Sequence, residues 1–182
     1  MRIAVIAWGS LIWNPGNLQI TGPWRNNGPL LPVEFARISR DGRVTLVIFE
    51  GAQPQRTYWA RSSFDNIQAC RNNLAKREGT CPDYIHGLDV NGQLYGKPSP
   101  IAVKAVKTWL EAHTHELDAA VWTGLPSNWE EKRGRPFSPE DVVQYLRDLD
   151  NERRQRAREY FQKAPQQIQT AVRQRIAQCF GW

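Results

Sequence analysis

The sequence predicts an α+β protein, with strands concentrated before residue 62 and helices after residue 138. Strand-like segments separated by turn signals follow one another through residues 3–61. A helix start of the form Ser-Pro-Glu-Asp stands at residues 138–141, and the segments after it have helical spacing. The 182 residues contain no evident linker or repeat, so we expect one domain over residues 1–182, with helices at about 138–180 packed on it.

The first strand and the loop after it form the most informative stretch. Residues 3–7 are apolar, and we predict a buried strand there, a tight loop at 8–12 and a turn at 13–16. Gly9 in the loop permits either a positive φ or the close approach of a ligand. Consecutive N–H groups in such a loop can bind an anion. The alternative is a strand that simply ends at a glycine turn.

Residues 19–61 continue the β-rich part. The stretch at 19–32 is rich in Gly, Pro and Asn, and we interpret it as a long irregular connection. Alternating or continuous apolar patterns then predict strands in mostly antiparallel succession at residues 33–38, 44–49 and 55–61. Asp41-Gly42 supplies a hairpin signal between the first two of these.

A helix that ends at Gly79 places one carboxylate in an unusual position. Ser62-Ser63 can cap the start of this helix, and apolar residues follow at helical spacing. Glu78 then lies at the C-terminus of the helix, where the negative end of the helix dipole disfavours a carboxylate. Such a placement hints at function. The alternative is an exposed Glu78 paired with Arg77 or Lys76.

The remaining chain alternates between short strands and helices before it becomes helical. Strands are predicted at residues 84–90 and 119–123, with a helix at 101–113 between them. Further helices are predicted at residues 138–149, at about 152–163 and from Pro165 onward.

Charge is concentrated near the C-terminus. The net charge is +6, and residues 151–182, with seven Lys or Arg and two Glu, carry +5 of it. A basic helix of this kind can touch nucleic acid or an acidic partner, but a solvated face is the favoured interpretation. The apolar run at the N-terminus is too short for a signal peptide or a membrane span. We therefore expect a cytoplasmic protein with reduced thiols.

Several common site types are missing from the sequence. There is no Gly-x-Gly-x-x-Gly and no Walker loop, and Ser10 lacks the second glycine of a nucleophile elbow. The cysteines are odd in number and widely spaced, which fits neither a zinc pattern nor a disulfide framework. The histidines form no evident Ser-His-Asp set; they are His86, His113 and His115. We expect no metal and no cofactor.

Two short motifs, taken in order, resemble a known family. The first is the loop Trp8-Gly9-Ser10-Leu11-Ile12-Trp13-Asn14-Pro15, which is similar to the Tyr-Gly-Ser-Leu substrate loop of the γ-glutamylcyclotransferase-like family, and above all to its ChaC branch. The second is Leu74-Ala75-Lys76-Arg77-Glu78, which resembles that branch's Leu-x-x-Arg-Glu segment. The resemblance covers roughly residues 3–125. Trp8 stands where the family has Tyr, which removes a hydroxyl and keeps an aromatic wall.

The resemblance implies a fold, a reaction and a set of site residues. The fold would be a small mixed β-barrel flanked by helices. The protein would release 5-oxoproline from a γ-glutamyl peptide or amine such as glutathione, as a lyase or acyltransferase. Glu78 would be the catalytic carboxylate, and the substrate would bind at Trp8, Gly9, Ser10 and Leu11. Arg37 is a further candidate for a substrate carboxylate, with a surface position as the alternative.

Two other functions remain open at this point. The first is a divergent or non-catalytic protein of the same fold that binds a small molecule, with Trp8 marking the loss of the usual substrate. The second is a module that binds nucleic acid or an acidic partner through the basic C-terminal helices. The aromatic residues that would interleave such a basic surface are few there.

Overall fold

A computed structural model describes residues 1–182, and the contacts divide them into two compact units. The first unit comprises Met1–Leu31 and Arg56–Leu125, and the second comprises Pro32–Gln55 and Pro126–Trp182. Six helices and two sheets confirm the predicted α+β class. The expectation of one domain over residues 1–182 stays a prediction.

Nine strands and six helices make up the two units. The strands are β1 (Ile3–Ala7), β2 (Ile20–Arg25), β3 (Leu30–Ile38), β4 (Val44–Ile48), β5 (Pro54–Arg56), β6 (Tyr58–Ser62), β7 (Ile85–Asp89), β8 (Leu94–Tyr95) and β9 (Ala119–Thr123). The helices are α1 (Ile67–Glu78), α2 (Pro100–Glu111), α3 (Trp129–Arg133), α4 (Pro139–Asp148), α5 (Asn151–Lys163) and α6 (Ala171–Phe180). None of these helices combines the length and the apolar character needed to cross a membrane.

The first unit is built on a six-stranded sheet with the order β2-β6-β1-β9-β7-β8. β1 pairs in parallel with β9, and the other pairs are antiparallel. All five residues of β1 are buried, as expected for an apolar strand with a neighbour on each side. One face of the sheet packs on α1 through an apolar cluster that includes Val5, Leu11, Leu74 and Val121.

The sheet is open, so the closed barrel expected from the family resemblance is wrong for this chain. Its edge strands are poorly suited to pair with each other. β8 has two residues and is followed by Gly96 at a φ of 76° and then by prolines. β2 contains Pro23, which has no N–H to donate, and its register with β6 shifts. Closure would need two regular edge strands, and neither edge is regular.

Several local boundaries match the sequence and others differ. β1 and β9 occupy the predicted residues, and α1 ends at Glu78 with Gly79 at a φ of 62°. The predicted cap Ser62-Ser63 is wrong, because the strand continues through Ser62 and the helix begins later. Asn66 caps α1 instead and accepts a bond of 3.0 Å from the N–H of Ala69. The stretch predicted to be irregular contains β2, since pairing with β6 orders it.

The second unit contains a three-stranded sheet, β4-β3-β5, and the C-terminal helices. The helix start at Ser138 is confirmed, because its side chain accepts from the N–H of Asp141 at 3.1 Å. The last helix begins at Ala171, after the cap Thr170, and not directly after Pro165. Phe35 of β3 stacks on Phe161 of α5 with ring centroids 4.2 Å apart, which places α5 on this sheet.

Candidate active site

The loop after β1 is a compact turn in which the N–H groups of Gly9, Ser10 and Leu11 have no acceptor. The N–H of Ile12 bonds to the carbonyl of Gly9 at 3.0 Å, and the N–H of Asn14 bonds to that of Ser10 at 2.9 Å. Gly9 does not adopt a positive φ, so of the two roles expected for this glycine only a close approach, by a ligand or by the chain, stays a prediction. The N–H groups of Gly9, Ser10 and Leu11 donate to no acceptor of the chain and are available to an anion or carbonyl oxygen.

Packing fixes this loop in position. The side chain of Leu11 is buried in the apolar cluster against α1, and Ile12 packs on the edge of the same cluster. Trp8 is buried as well, at 5% exposure. The loop therefore has a defined backbone, which is what a site that uses backbone donors requires.

The last turn of α1 brings an arginine and a glutamate to the same loop. Arg77 donates to the Glu78 carboxylate at 2.7 Å through Nη1. Its Nη2 donates to Ser10 Oγ at 3.2 Å and to the carbonyl of Asn14 at 2.5 Å. One guanidinium thus joins Glu78 to the loop, because its planar fork presents several N–H groups at once. Arg77 thus bridges Glu78 and Ser10, the two residues that the family resemblance assigned to one site.

Burial makes this ion pair unlike an ordinary surface pair. The side chains of Arg77 and Glu78 are 11% and 17% exposed. The sequence alternative of an exposed Glu78 paired with Arg77 is therefore right about the partner and wrong about the exposure. Burial raises the pKa of Glu78 above its ordinary value, and the positive charge and hydrogen bond of Arg77 act in the opposite direction without cancelling this effect. The Glu78 carboxyl is a carboxylate that takes up a proton more readily than a solvated one.

Arg77 is the residue whose role sequence reasoning missed. It belongs to the Leu-x-x-Arg-Glu segment, but only its pairing with Glu78 was considered. Its bonds to Ser10 and Asn14 join residues 67 and 63 positions apart, and no local pattern announces such contacts. The one signal in the sequence that could have indicated this role is the adjacent Arg77-Glu78 pair at the C-terminus of a helix.

Arg37 is not part of this assembly. It belongs to the second unit, where its guanidinium donates to the carbonyl of Pro126 at 2.6 Å. The structure therefore gives Arg37 a local backbone partner. A role for Arg37 in binding a substrate carboxylate stays a prediction.

The histidines form no catalytic set with these residues. His86 is buried on β7, and burial lowers its pKa below the ordinary value, so its ring is neutral near pH 7. His113, just beyond the end of α2, bonds to the carbonyl of Trp109 in the last turn of that helix at 2.7 Å. No group of three or more His, Cys, Asp or Glu side chains is arranged to hold a metal ion.

The basic C-terminal segment uses most of its charges inside the second unit. Arg153 and Arg156 pair with acids at 3.5 and 3.2 Å. Arg154 donates to three carbonyls near the end of α4, and the buried Arg173 donates to four carbonyls. Arg175 lies 3.5 Å from Glu140. Because most of these basic side chains have partners within the unit, they favour a structural role over a surface that binds nucleic acid or an acidic partner.

Replacement of Arg77 by Met is expected to destabilise the protein by about 2 kcal/mol at neutral pH. The substitution leaves a partly buried carboxylate without its counter-ion and removes two bonds to the loop. The pKa of Glu78 then rises further. A raised folded-state pKa gives stability that is present below the unfolded pKa and lost as pH rises, so the loss should shrink in mildly acidic buffer. Urea unfolding at the two pH values measures it.

Arg25 provides a matched control for this variant. It forms an ion pair with Glu116 at the same distance of 2.7 Å, but the two side chains are 53% and 29% exposed. Exposed pairs contribute about 0–1 kcal/mol, so Arg25→Met should cost less than Arg77→Met. Equal losses from the two variants would contradict a special role for the buried pair.

Comparison with known proteins yields no relative for this chain. No family model matches it, and no curated protein and no solved structure matches it. The functional interpretation therefore depends on the two motifs and on the geometry described above.

Proposed function

We propose that the protein is a γ-glutamylcyclotransferase-like enzyme that releases 5-oxoproline from a γ-glutamyl peptide or amine, with glutathione as one candidate substrate. The observation that carries the proposal is the largely covered, 17% exposed Glu78 carboxylate, tied by Arg77 to a loop with three free amides. This juxtaposition supplies an acceptor for a proton beside donors for a developing negative charge. The family resemblance supports the proposal through the two motifs alone. It gains no support from the fold, because the sheet is open and the expected barrel is closed.

The reaction is an intramolecular acyl transfer. The α-ammonium of the γ-glutamyl group gives a proton to Glu78, and the resulting amine attacks the γ-carbonyl carbon of the same group. A new C–N bond closes the five-membered ring, and the former carbonyl oxygen becomes an oxyanion. The bond to the leaving amine then breaks, the oxyanion reforms a carbonyl, and Glu78 returns its proton to the leaving nitrogen. The ring nitrogen loses its second proton to the released amine, which departs as an ammonium. No other reactant is consumed.

The residues of the site match these steps. A raised pKa suits Glu78 to accept a proton and to return it within one turnover. The amides of Gly9, Ser10 and Leu11 would bind the oxyanion or the substrate α-carboxylate. Trp8 would form an apolar wall. Arg77 positions Glu78 and the loop, because both of its terminal nitrogens are engaged by the protein.

The proposal is tested by measuring 5-oxoproline after incubation with glutathione and a panel of γ-glutamyl amines. We expect release from at least one compound with a free α-amine. The matched controls are the N-acetylated form of each substrate and the α-glutamyl isomer, because neither presents the amine to the γ-carbonyl. Release from the N-acetylated compounds, or no release from any member of the panel, would contradict the proposed reaction.

A protein that binds the γ-glutamyl compound at this site without converting it is the second candidate, because the Arg77 bond makes Oε1 of Glu78 less available as a proton acceptor. Oxygen Oε1 of Glu78 already accepts a bond of 2.7 Å from Arg77, an arrangement that would also stabilise a purely structural ion pair. A γ-glutamyl compound that raises the unfolding temperature without being converted would support this candidate, since a bound ligand stabilises the folded state.

A further inference from the structure

The last residue of β9 carries a buried hydroxyl that has no partner in the chain. Thr123 Oγ1 is inaccessible to solvent and makes no hydrogen bond. Nearly all buried polar atoms in folded proteins are hydrogen-bonded, and an exception calls for a partner that the chain does not supply. A ligand that binds beside β9 would provide one.

Strand pairing shows which face of the sheet the Thr123 side chain occupies. Thr123 lies directly opposite Ile85 of β7, and Val121 lies opposite Gly87. Residues directly opposite each other in an antiparallel pair project to the same face. Ile85 and Val121 belong to the apolar cluster packed on α1. Thr123 therefore projects toward α1, the helix that carries Glu78.

The same reasoning places Thr123 at the end of the sheet where the candidate site lies. Val5 of β1 pairs in parallel with Val121, so the carboxyl ends of β1 and β9 lie side by side. The loop with the free amides begins directly after β1. Thr123 and this loop therefore lie at the same end of the sheet.

Helix α1 connects this level of the sheet with Glu78. Arg71 donates through Nε to the carbonyl of Ile85 at 2.7 Å, beside the position of Thr123. Glu78 follows Arg71 by seven residues, which returns to nearly the same helix face about 10 Å farther along the axis. This end of α1 reaches the loop, since Arg77 bonds to Ser10. The free hydroxyl, the free amides and the carboxylate thus border one end of the first unit.

We propose that Thr123 Oγ1 is a substrate-positioning group that accepts a hydrogen bond from the α-amine of the γ-glutamyl substrate. This inference rests on the proposed function. The amides of Gly9, Ser10 and Leu11 are donors and suit the acceptor groups of the substrate. The α-ammonium needs acceptors, and Glu78 and Thr123 supply them at this end of the unit. Two acceptors hold the amine so that it points at the γ-carbonyl once one proton has left.

Trp122 does not belong to this arrangement, although its Nε1 also lacks a partner. Consecutive residues of a strand project to opposite faces, so Trp122 lies on the side of the sheet away from α1. His86, directly opposite Trp122, shares that other face. The inference therefore concerns Thr123 alone.

The test compares Thr123→Val and Thr123→Ser with the unaltered protein in 5-oxoproline release and in thermal unfolding without substrate. Valine keeps the shape and removes the hydroxyl. We expect Thr123→Val to lower kcat/KM by about 10- to 100-fold, as for loss of a hydrogen bond to a charged group, with KM rising. Its unfolding temperature should be equal or higher, because the lost hydroxyl had no partner. Thr123→Ser should retain most of the activity.

Thr45→Val is the matched control on a strand of the second unit. Its hydroxyl has a partner in the chain, the carbonyl of Arg37 at 3.3 Å. We expect this variant to unfold at a lower temperature and to keep its KM. Thr123→Val should therefore raise KM without lowering the unfolding temperature. Thr45→Val should lower the unfolding temperature without raising KM.

The outcomes separate this inference from the proposed function. Release by the unaltered protein together with unchanged kinetics in Thr123→Val would overturn the inference and leave the function standing. A fall in unfolding temperature in both Thr123 variants would also overturn it, since the hydroxyl would then serve the folded chain. No release by the unaltered protein would overturn the function and the inference with it.

Discussion

Replacement of Glu78 by Gln is expected to lower 5-oxoproline release by about 10²- to 10⁴-fold, the usual contribution of a positioned acid or base. Glutamine keeps the shape of the side chain and can still accept the bond from Arg77, but it cannot take the proton of the α-ammonium. The loss should appear in kcat and kcat/KM together, because proton transfer belongs to the transition state. Measurement of 5-oxoproline formation under saturating substrate checks this.

The same variant should keep its stability at neutral pH. The pKa of Glu78 is raised by burial even with Arg77 beside it, so the ionised form is less favourable in the folded state than in the unfolded chain. Stability linked to this group is present below its unfolded pKa and is lost as pH rises through its folded pKa. Glutamine does not ionise, so the variant does not lose this stability as pH rises. Thermal unfolding at neutral pH should therefore show an equal or higher temperature than the unaltered protein.

The pH profile provides an independent check on the role of Glu78. A general base must be ionised, so kcat/KM should fall as pH decreases through the pKa of Glu78, which lies above the ordinary value for Glu. Glu111 is the matched control, because it is also the last residue of a helix but is exposed. Glu111→Gln should leave release unchanged. Equal activity of Glu78→Gln and Glu111→Gln would rule out the proposed base.

Replacement of Gly124 by Ala is expected to cost about 3 kcal/mol in the free energy of unfolding, the upper range for overpacking a core. A Cβ atom at this position would lie 2.0 Å from Cε1 and 2.2 Å from Nδ1 of His86. The backbone of Gly96 lies against another side of the ring, since a Cβ built on Gly96 would be 2.8 Å from His86 Cδ2. This limits how far the ring can move away from residue 124. Urea unfolding measures the loss, which we attribute to displacement of the ring.

A second substitution separates the clash from other effects of the alanine. His86→Ala removes the ring, so Gly124→Ala should cost much less in that background, and the double-mutant cycle should give a large coupling energy. Gly92 is the control glycine, because nothing lies within 4 Å of its Cβ position and its φ is 85°. Gly92→Ala should cost about 1–2 kcal/mol from backbone strain alone. A Gly124→Ala loss no larger than this would show that the ring yields.

Local sequence signals were sufficient for the elements on either side of the site. The apolar run at 3–7 and the turn signals after it predicted β1 and its loop, and the boundary at Ala7 is confirmed. Gly79 predicted the end of α1, and this glycine alone was enough to assign Glu78 to the helix C-terminus. Such signals are reliable because helix caps and apolar runs are determined by residues that are close to each other in the sequence.

Local signals failed where a distant pairing decided the conformation. Residues 20–25 carry Gly22 and Pro23 and look irregular, but pairing with β6 makes them a strand. The edges of the sheet, and therefore its open form, depend on which strands meet across the whole unit. Propensity is a weak preference, and tertiary contacts override it.

By itself, the sequence determined the α+β class, the position of β1 and its loop, and the C-terminal place of Glu78 in its helix. Only the tertiary structure decided that Arg77 joins Glu78 to Ser10, that the Arg77–Glu78 pair is partly buried, and that Thr123 has a hydroxyl without a partner. The physical reason is that burial and hydrogen bonding between residues far apart in the chain exist only after the strands and α1 have packed. A carboxylate acquires its pKa from that environment and not from its neighbours in sequence.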